Sequence, residues 1–217
     1  MKNIIFDIGN ILLSFQPELY LEKHFSPPQM GDLMMIIFAS DEWVELDMGT
    51  MMIQDAIDSL TLKHPHYHDE IISVLENWTQ MLIPITENVE IAYELKKKGY
   101  HLYLLSNFHK EAIQTMYQQY DFFDIFEGGV ISAEEKVVKP DEEIYTILLE
   151  RYHLNPEESL FIDDSLANIK AGNRLGIQGI HLPYLANLKE ELKKLVFYNQ
   201  FLLFLTYHIM TIACEDN

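Results

Sequence analysis

The sequence predicts an α/β protein: a parallel sheet covered by helices on both faces, three layers deep, with a block of helices inserted after the first strand. Three observations carry that prediction. From residue 85 onward, short apolar runs alternate with helix-length amphipathic segments, the pattern of parallel strands joined by crossover helices. Residues 17–84 carry helical periodicity alone, with no convincing strand. A length of 217 residues suits one main domain with a smaller insert.

Taken in order, residues 3–6 (NIIF) form a short buried strand that stops at Asp7. The helical block follows, broken at Pro27-Pro28 and at the turn Asp47–Thr50 (DMGT). Residues 86–98 read as a helix whose basic last turn, KKKG, ends on a glycine stop. Next come a strand at 101–105 (HLYLL), a helix near 109–119 and a short strand near 129–131. A helix at 141–152, a strand at 159–162 (SLFI), a helix at 166–175 and a strand at 177–182 (IQGIHL) complete the series. The expected division is a core of residues 1–15 and 85–196, a helical cap at 16–84 and an apolar extension at 197–217.

That extension belongs to a stretch, residues 195–214, about as long as a membrane span. Asn199, Gln200, Thr206, Tyr207 and His208 interrupt it, and no basic cluster flanks its far end. A packed extension or a homodimer contact is therefore expected, in preference to a membrane anchor.

Composition narrows the function. Apolar residues make up 48% of the chain, so it is globular. The net charge of −19, from 34 acidic and 15 basic residues, argues against a nucleic-acid partner, which needs clustered cations. An anionic substrate would need a local cation to receive it. The single cysteine, Cys214, excludes an internal disulfide framework and fits a reducing compartment. Met1–Phe15 superficially resembles a signal peptide, but Asp7 interrupts its apolar run and no small-x-small site follows. A cytoplasmic location is expected.

In open parallel sheets, ligands bind outside the carboxyl ends of the strands. Past those ends stand Asp7, then Ser106 and Asn107, Lys139 in VVKPD, and Asp163 with Asp164, followed by Asn168. Singly, each reads as a cap or an ordinary turn residue. Together they put a carboxylate able to act as nucleophile, a hydroxyl, a lysine and an acidic pair on one sheet edge. That combination suits phosphate and magnesium.

The same residues resemble the haloacid-dehalogenase superfamily of aspartyl phosphatases and mutases. FDIGNIL matches its first motif, LLSN its second, KP its third and FIDDSLANIKAGNRLGI its fourth, in order over nearly the whole chain except the tail. The resemblance implies a Rossmann-like core with an inserted helical cap of the C1 type. FDIGN and the cap segment WVELDMGT (43–50) look like the small-sugar-phosphate branch, which includes an alpha-glucose-1-phosphate phosphatase.

The chemistry expected of these residues is as follows. Asp7 attacks phosphorus and forms an aspartyl-phosphate. Mg²⁺ brings the two anions together, held by Asp7, the Gly9 carbonyl and Asp163. Asp164 binds through water or orients Lys139. Lys139 meets the phosphate, with Pro140 expected at the first position of the next helix. Ser106 and the Asn107 backbone N–H bond the phosphoryl oxygens, while Asn168 ties the loop. The expected substrate is a small phosphorylated metabolite such as glucose-1-phosphate.

Gly9 departs from the pattern. Most phosphatases that the sequence resembles carry there a second Asp, the acid to the leaving group and base to water. General acid–base help is worth about 10²–10⁴-fold, so activity should fall but persist, and substrates with good leaving groups should be favoured. His24, Asp41, Glu45 and Asp47 are alternative proton sources in the cap. Asp163-Asp164 argues against dehalogenation, and nothing around Lys23 or Lys63 suggests the buried Schiff-base lysine that phosphonate cleavage needs. The competing class is a binding or regulatory protein on a weakened phosphatase scaffold.

Overall fold

The structure, a computed structural model, describes residues 1–184 and 186–195; the extension expected at 197–217 lies outside the described residues. Strand β1 (Asn3–Phe6) opens the chain and is buried along its length. A short β2 (Leu13–Phe15) precedes five helices: α1 (Pro17–His24), α2 (Pro27–Leu33), α3 (Asp41–Met48), α4 (Ile53–Lys63) and α5 (His68–Asn77). After them come β3 (Leu82–Pro84), α6 (Thr86–Lys97), β4 (His101–Ser106) and α7 (Lys110–Gln119). The chain continues through β5 (Gly128–Ile131), α8 (Ser132–Glu135), α9 (Glu142–Arg151), β6 (Ser159–Asp163), α10 (Leu166–Arg174) and β7 (Gln178–His181). Among the described residues no helix is long and apolar enough to cross a membrane.

Five parallel strands form the main sheet in the order β5-β4-β1-β6-β7. The strand period of two sorts their side chains onto two faces. Ile4, Phe6, Leu102, Leu104, Leu160 and Ile162 pack in one cluster with Ala92 and Leu95 of α6 and Ile113 and Met116 of α7. Ile5, Tyr103, Leu105 and Phe161 form the other with Ile144, Tyr145 and Leu148 of α9 and Ile169 of α10. The first cluster continues into the inserted helices through Leu33, Ile37, Leu60, Ile71 and Val74.

Residues 17–84 are not purely helical. Leu13, Ser14 and Phe15 pair antiparallel with Pro84, Ile83 and Leu82, a ribbon that brings the two ends of the helical block side by side. Strands of three residues are too short to show a period, and Pro84 further masks the signal. A second correction concerns Pro140. It precedes α9 rather than starting it, because Asp141 takes the cap position and accepts the Glu143 N–H at 3.1 Å.

The turn expected at 47–50 ends α3. Ser40 caps the start, accepting the Trp43 N–H at 3.1 Å, and Gly49 ends the helix at φ 69°. A Cβ on Gly49 would lie 2.1 Å from the Ala133 carbonyl oxygen, so α3 docks backbone to backbone on α8. The Ser132 hydroxyl reinforces the seat by donating to the Asp47 carbonyl.

Candidate active site

The chain runs from β1 to β4 and β5 on one side and later to β6 and β7 on the other, so direction switches at the carboxyl end of β1. Asp7 stands there. Its N–H extends the ladder by donating to Ile162 O at 2.9 Å, and its Oδ1 accepts the Ile8 N–H at 2.7 Å. Only 7% of Asp7 is exposed.

Lys139 lies against it. Its Nζ is 2.8 Å from Asp7 Oδ1, 2.7 Å from Asp163 Oδ2 and 3.0 Å from Leu105 O, so each ammonium proton has an acceptor. The ammonium also faces the Phe161 ring at 5.4 Å. The lysine backbone is clamped by Asn107, whose Nδ2 donates to Lys139 O at 3.0 Å and whose Oδ1 accepts the Lys139 N–H at 2.8 Å. Asn107 therefore contributes a side chain, where sequence reasoning assigned only its N–H. The Lys139–Pro140 peptide is cis.

Asp163 is fully buried and accepts the Ser165 N–H at 2.7 Å and Asn168 Nδ2 at 3.0 and 3.1 Å. Lys139 is thus oriented by Asp163 and Asp7. Asp164 contacts Asn10 instead, accepting Nδ2 at 2.9 Å, while Asn10 Oδ1 accepts the Phe15 N–H at 3.0 Å. Nothing in the sequence pattern around Asn10 marks this double role, which depends on its left-handed φ of 54°. Ser106 is buried at the end of β4, its hydroxyl 3.4 Å from Asn107 O.

Carboxylate oxygens of Asp7, Asp163 and Asp164 lie within 4.8 Å of one another. Opposite ligands of an octahedral Mg²⁺ stand about 4.2 Å apart, so the three acids fit one hard cation. Gly9 and Asn10 line the same cavity of about 130 Å³ as Asp7 and Asp164, walled by Phe15, Trp43, Trp78, Leu82 and Phe108.

Burial pushes the Asp7 carboxyl up to about 7, a rise that Lys139 opposes and Asp163 adds to. Burial likewise raises Asp164. It would lower Lys139, but the Asp7 and Asp163 carboxylates carry that ammonium above its ordinary value. A carboxyl raised by folding favours the native state below its unfolded value, near 4, and loses that contribution as pH rises through about 7. Metal-free protein should therefore lose stability between about pH 4 and pH 7, while the stabilisation given by Mg²⁺ grows over the same window. Thermal melts with and without Mg²⁺ across that range check both trends.

Of the cap acids, Asp47 alone lines this cavity. Its Oδ1 is 3.3 Å from His109 Nε2, and the His109 ring sits between Trp43 at 4.4 Å and Trp78 at 4.5 Å. Burial and the Asp7 charge push Asp47 up to about 7, and burial pushes His109 down to about 3. Asp41 and Glu45 are exposed, and His24 is exposed against Tyr20 at 4.4 Å. Lys23 is exposed and Lys63 pairs with Glu42, so neither is a buried amine. The aromatic wall and His109 escaped the sequence reading because their residues are far apart along the chain.

A family model described as haloacid dehalogenase-like hydrolase matches residues 1–176. The chain is 27% identical over 195 residues to a sesquiterpene phosphatase of Aspergillus oryzae, covering 90% of this chain and 96% of that protein. It is 26% identical over 190 residues to a phosphorylated carbohydrates phosphatase of Thermotoga maritima, covering 83% and 84%. Among solved structures, a HAD family enzyme of Bacteroides thetaiotaomicron, in complex with magnesium and inorganic phosphate, superposes with a TM-score of 0.70 at 22% identity, covering 88% and 98%.

Proposed function

The chain belongs to the haloacid dehalogenase-like hydrolase family, and on that premise we propose that it is a Mg²⁺-dependent phosphatase of small phosphorylated metabolites. The observation that carries the reading is the buried Asp7–Lys139–Asp163 contact with Asp164 beside it. The phosphatase names of the two relatives and the magnesium and phosphate of the Bacteroides enzyme support it.

In this reading Asp7, Asp163 and Asp164 hold Mg²⁺, with Gly9 at the same cavity supplying a backbone carbonyl. The bound ion neutralises the phosphate and the approaching carboxylate. Asp7 attacks phosphorus through a carboxylate oxygen, the bond to the leaving oxygen breaks, and water later cleaves the aspartyl-phosphate. Lys139, locked by Asn107 and Asp163, offers a fixed positive charge where the phosphoryl oxygens gather charge. Ser106 and the Asn107 N–H stand at the same strand end as further donors. The inserted helices act as a cap that excludes water from the reacting centre.

The sequence favours glucose-1-phosphate, but the cavity supports esters with an apolar or flat organic part more strongly. Four of its eleven lining residues are aromatic, Phe15, Trp43, Trp78 and Phe108, and both asparagines that line it are committed to Asp164 and Lys139. A sugar would leave most of its hydroxyls without partners.

Turnover tests both levels. Purified protein should hydrolyse phenyl phosphate with Mg²⁺ and stop with EDTA, and kcat/KM for phenyl and prenyl monophosphates should exceed that for glucose-1-phosphate about tenfold, about 1.4 kcal/mol. Equal background with and without chelator would reject the phosphatase; a preference for the sugar would reject the apolar substrate class alone.

A further inference from the structure

We propose that Asp47, a cap residue, donates the proton to the leaving group and later accepts one from water, the work that Gly9 cannot do. The proposal rests on the phosphatase reading above and adds the group that completes it. Three observations meet at one place.

The first is the vacancy. A Cβ on Gly9 would meet no atom within 4 Å, so the position that lacks a carboxylate opens onto free space. The second is a carboxyl on the same cavity. Asp47 lines the cavity that Asp7, Gly9 and Asp164 line, and its side chain is 24% exposed. His109 Nε2 stands 3.3 Å from Oδ1 but makes no hydrogen bond with it.

The third is how firmly Asp47 is held. It sits in the last turn of α3, whose end is docked on α8 through Gly49 and the Ser132 hydroxyl. Neither ring nitrogen of His109 makes a hydrogen bond among the described residues, although only 3% of the residue is exposed. An imidazole left unbonded in the interior is costly, and the acid beside this one is Asp47.

The ionisable groups facing Asp47 are Asp7 just past β1, Lys139 from the segment before α9, Asp164 just past β6 and His109 at the cap of α7. A carboxyl on this cavity can meet both demands of the reaction, giving a proton in the first step and receiving one in the second.

The two steps balance. As Asp7 bonds to phosphorus, the leaving oxygen departs with the electron pair of the P–O bond and takes the Asp47 proton. The Asp47 carboxylate then takes a proton from water as that water attacks the aspartyl-phosphate. The bond between phosphorus and Asp7 breaks, releasing phosphate and restoring both acids.

The test uses kcat/KM, which reports the first chemical step, for two esters on the Mg²⁺-loaded protein. Phenolate esters with a nitro substituent leave without a proton; simple alkyl esters need one. Asp47→Asn should cost about 10²–10³-fold on the alkyl ester and about threefold on the nitrophenyl ester, and should abolish the alkaline fall in the alkyl pH profile. Gly9→Asp added to Asp47→Asn should recover at least about tenfold on the alkyl ester, which also guards against a folding artefact. Equal losses on both esters, or no loss on the alkyl ester, would overturn the proposal. A wild-type protein inert to both esters would instead overturn the phosphatase reading on which it stands.

Discussion

Asp7→Asn is expected to lower kcat by about 10⁴-fold or more, about 5.4 kcal/mol of barrier, because the amide cannot form the acyl-phosphate. The substitution keeps the shape of the side chain and its place at the end of β1. Two measurements check this: steady-state hydrolysis with Mg²⁺, and intact mass after acid quench. Wild type should gain one phosphoryl group and the variant none. A variant that retained turnover and still trapped phosphate would place the nucleophile elsewhere.

The second large effect is on folding. Lys139→Met fills nearly the same volume but leaves Asp7 and Asp163 facing each other, both buried, without the cation that lies 2.8 and 2.7 Å away. Breaking a buried charge set in this way costs about 3–5 kcal/mol. For a chain of this size that is a fall in melting temperature of about 6–20 °C. Mg²⁺ should restore part of it, since the ion supplies the missing positive charge. The gain in melting temperature from Mg²⁺ should therefore be larger in the variant than in wild type. A small, metal-independent shift would show that Lys139 is not what balances the two acids.

Much of the sheet and its acidic edge was legible in the sequence. Apolar runs such as NIIF and SLFI, each ending on an aspartate, announce both a buried strand and where it stops. The candidate positions converge by topology, because strand ends meet whatever lies between them. Three features did not show. The ribbon of Leu13–Phe15 with Leu82–Pro84 is too short for periodicity. The pairing of Asn107 with the Lys139 backbone joins residues 32 apart through groups that every asparagine has. Asp47 could be named only as one of several cap acids, since its distinction comes from burial and from His109, neither written in its neighbours along the chain.

The ribbon also has a mechanical meaning. A helical block joined to the sheet by two hydrogen-bonded strands, rather than by one flexible linker, cannot twist freely about either connection. The backbone contact of Gly49 with Ala133 ties its far side to α8 as well. Trp43, Asp47 and Trp78 ride on that block, while Asp7, Lys139 and Asp163 stay with the sheet. Tied at both places, the aromatic wall and Asp47 are held in fixed register over the acids at the sheet edge.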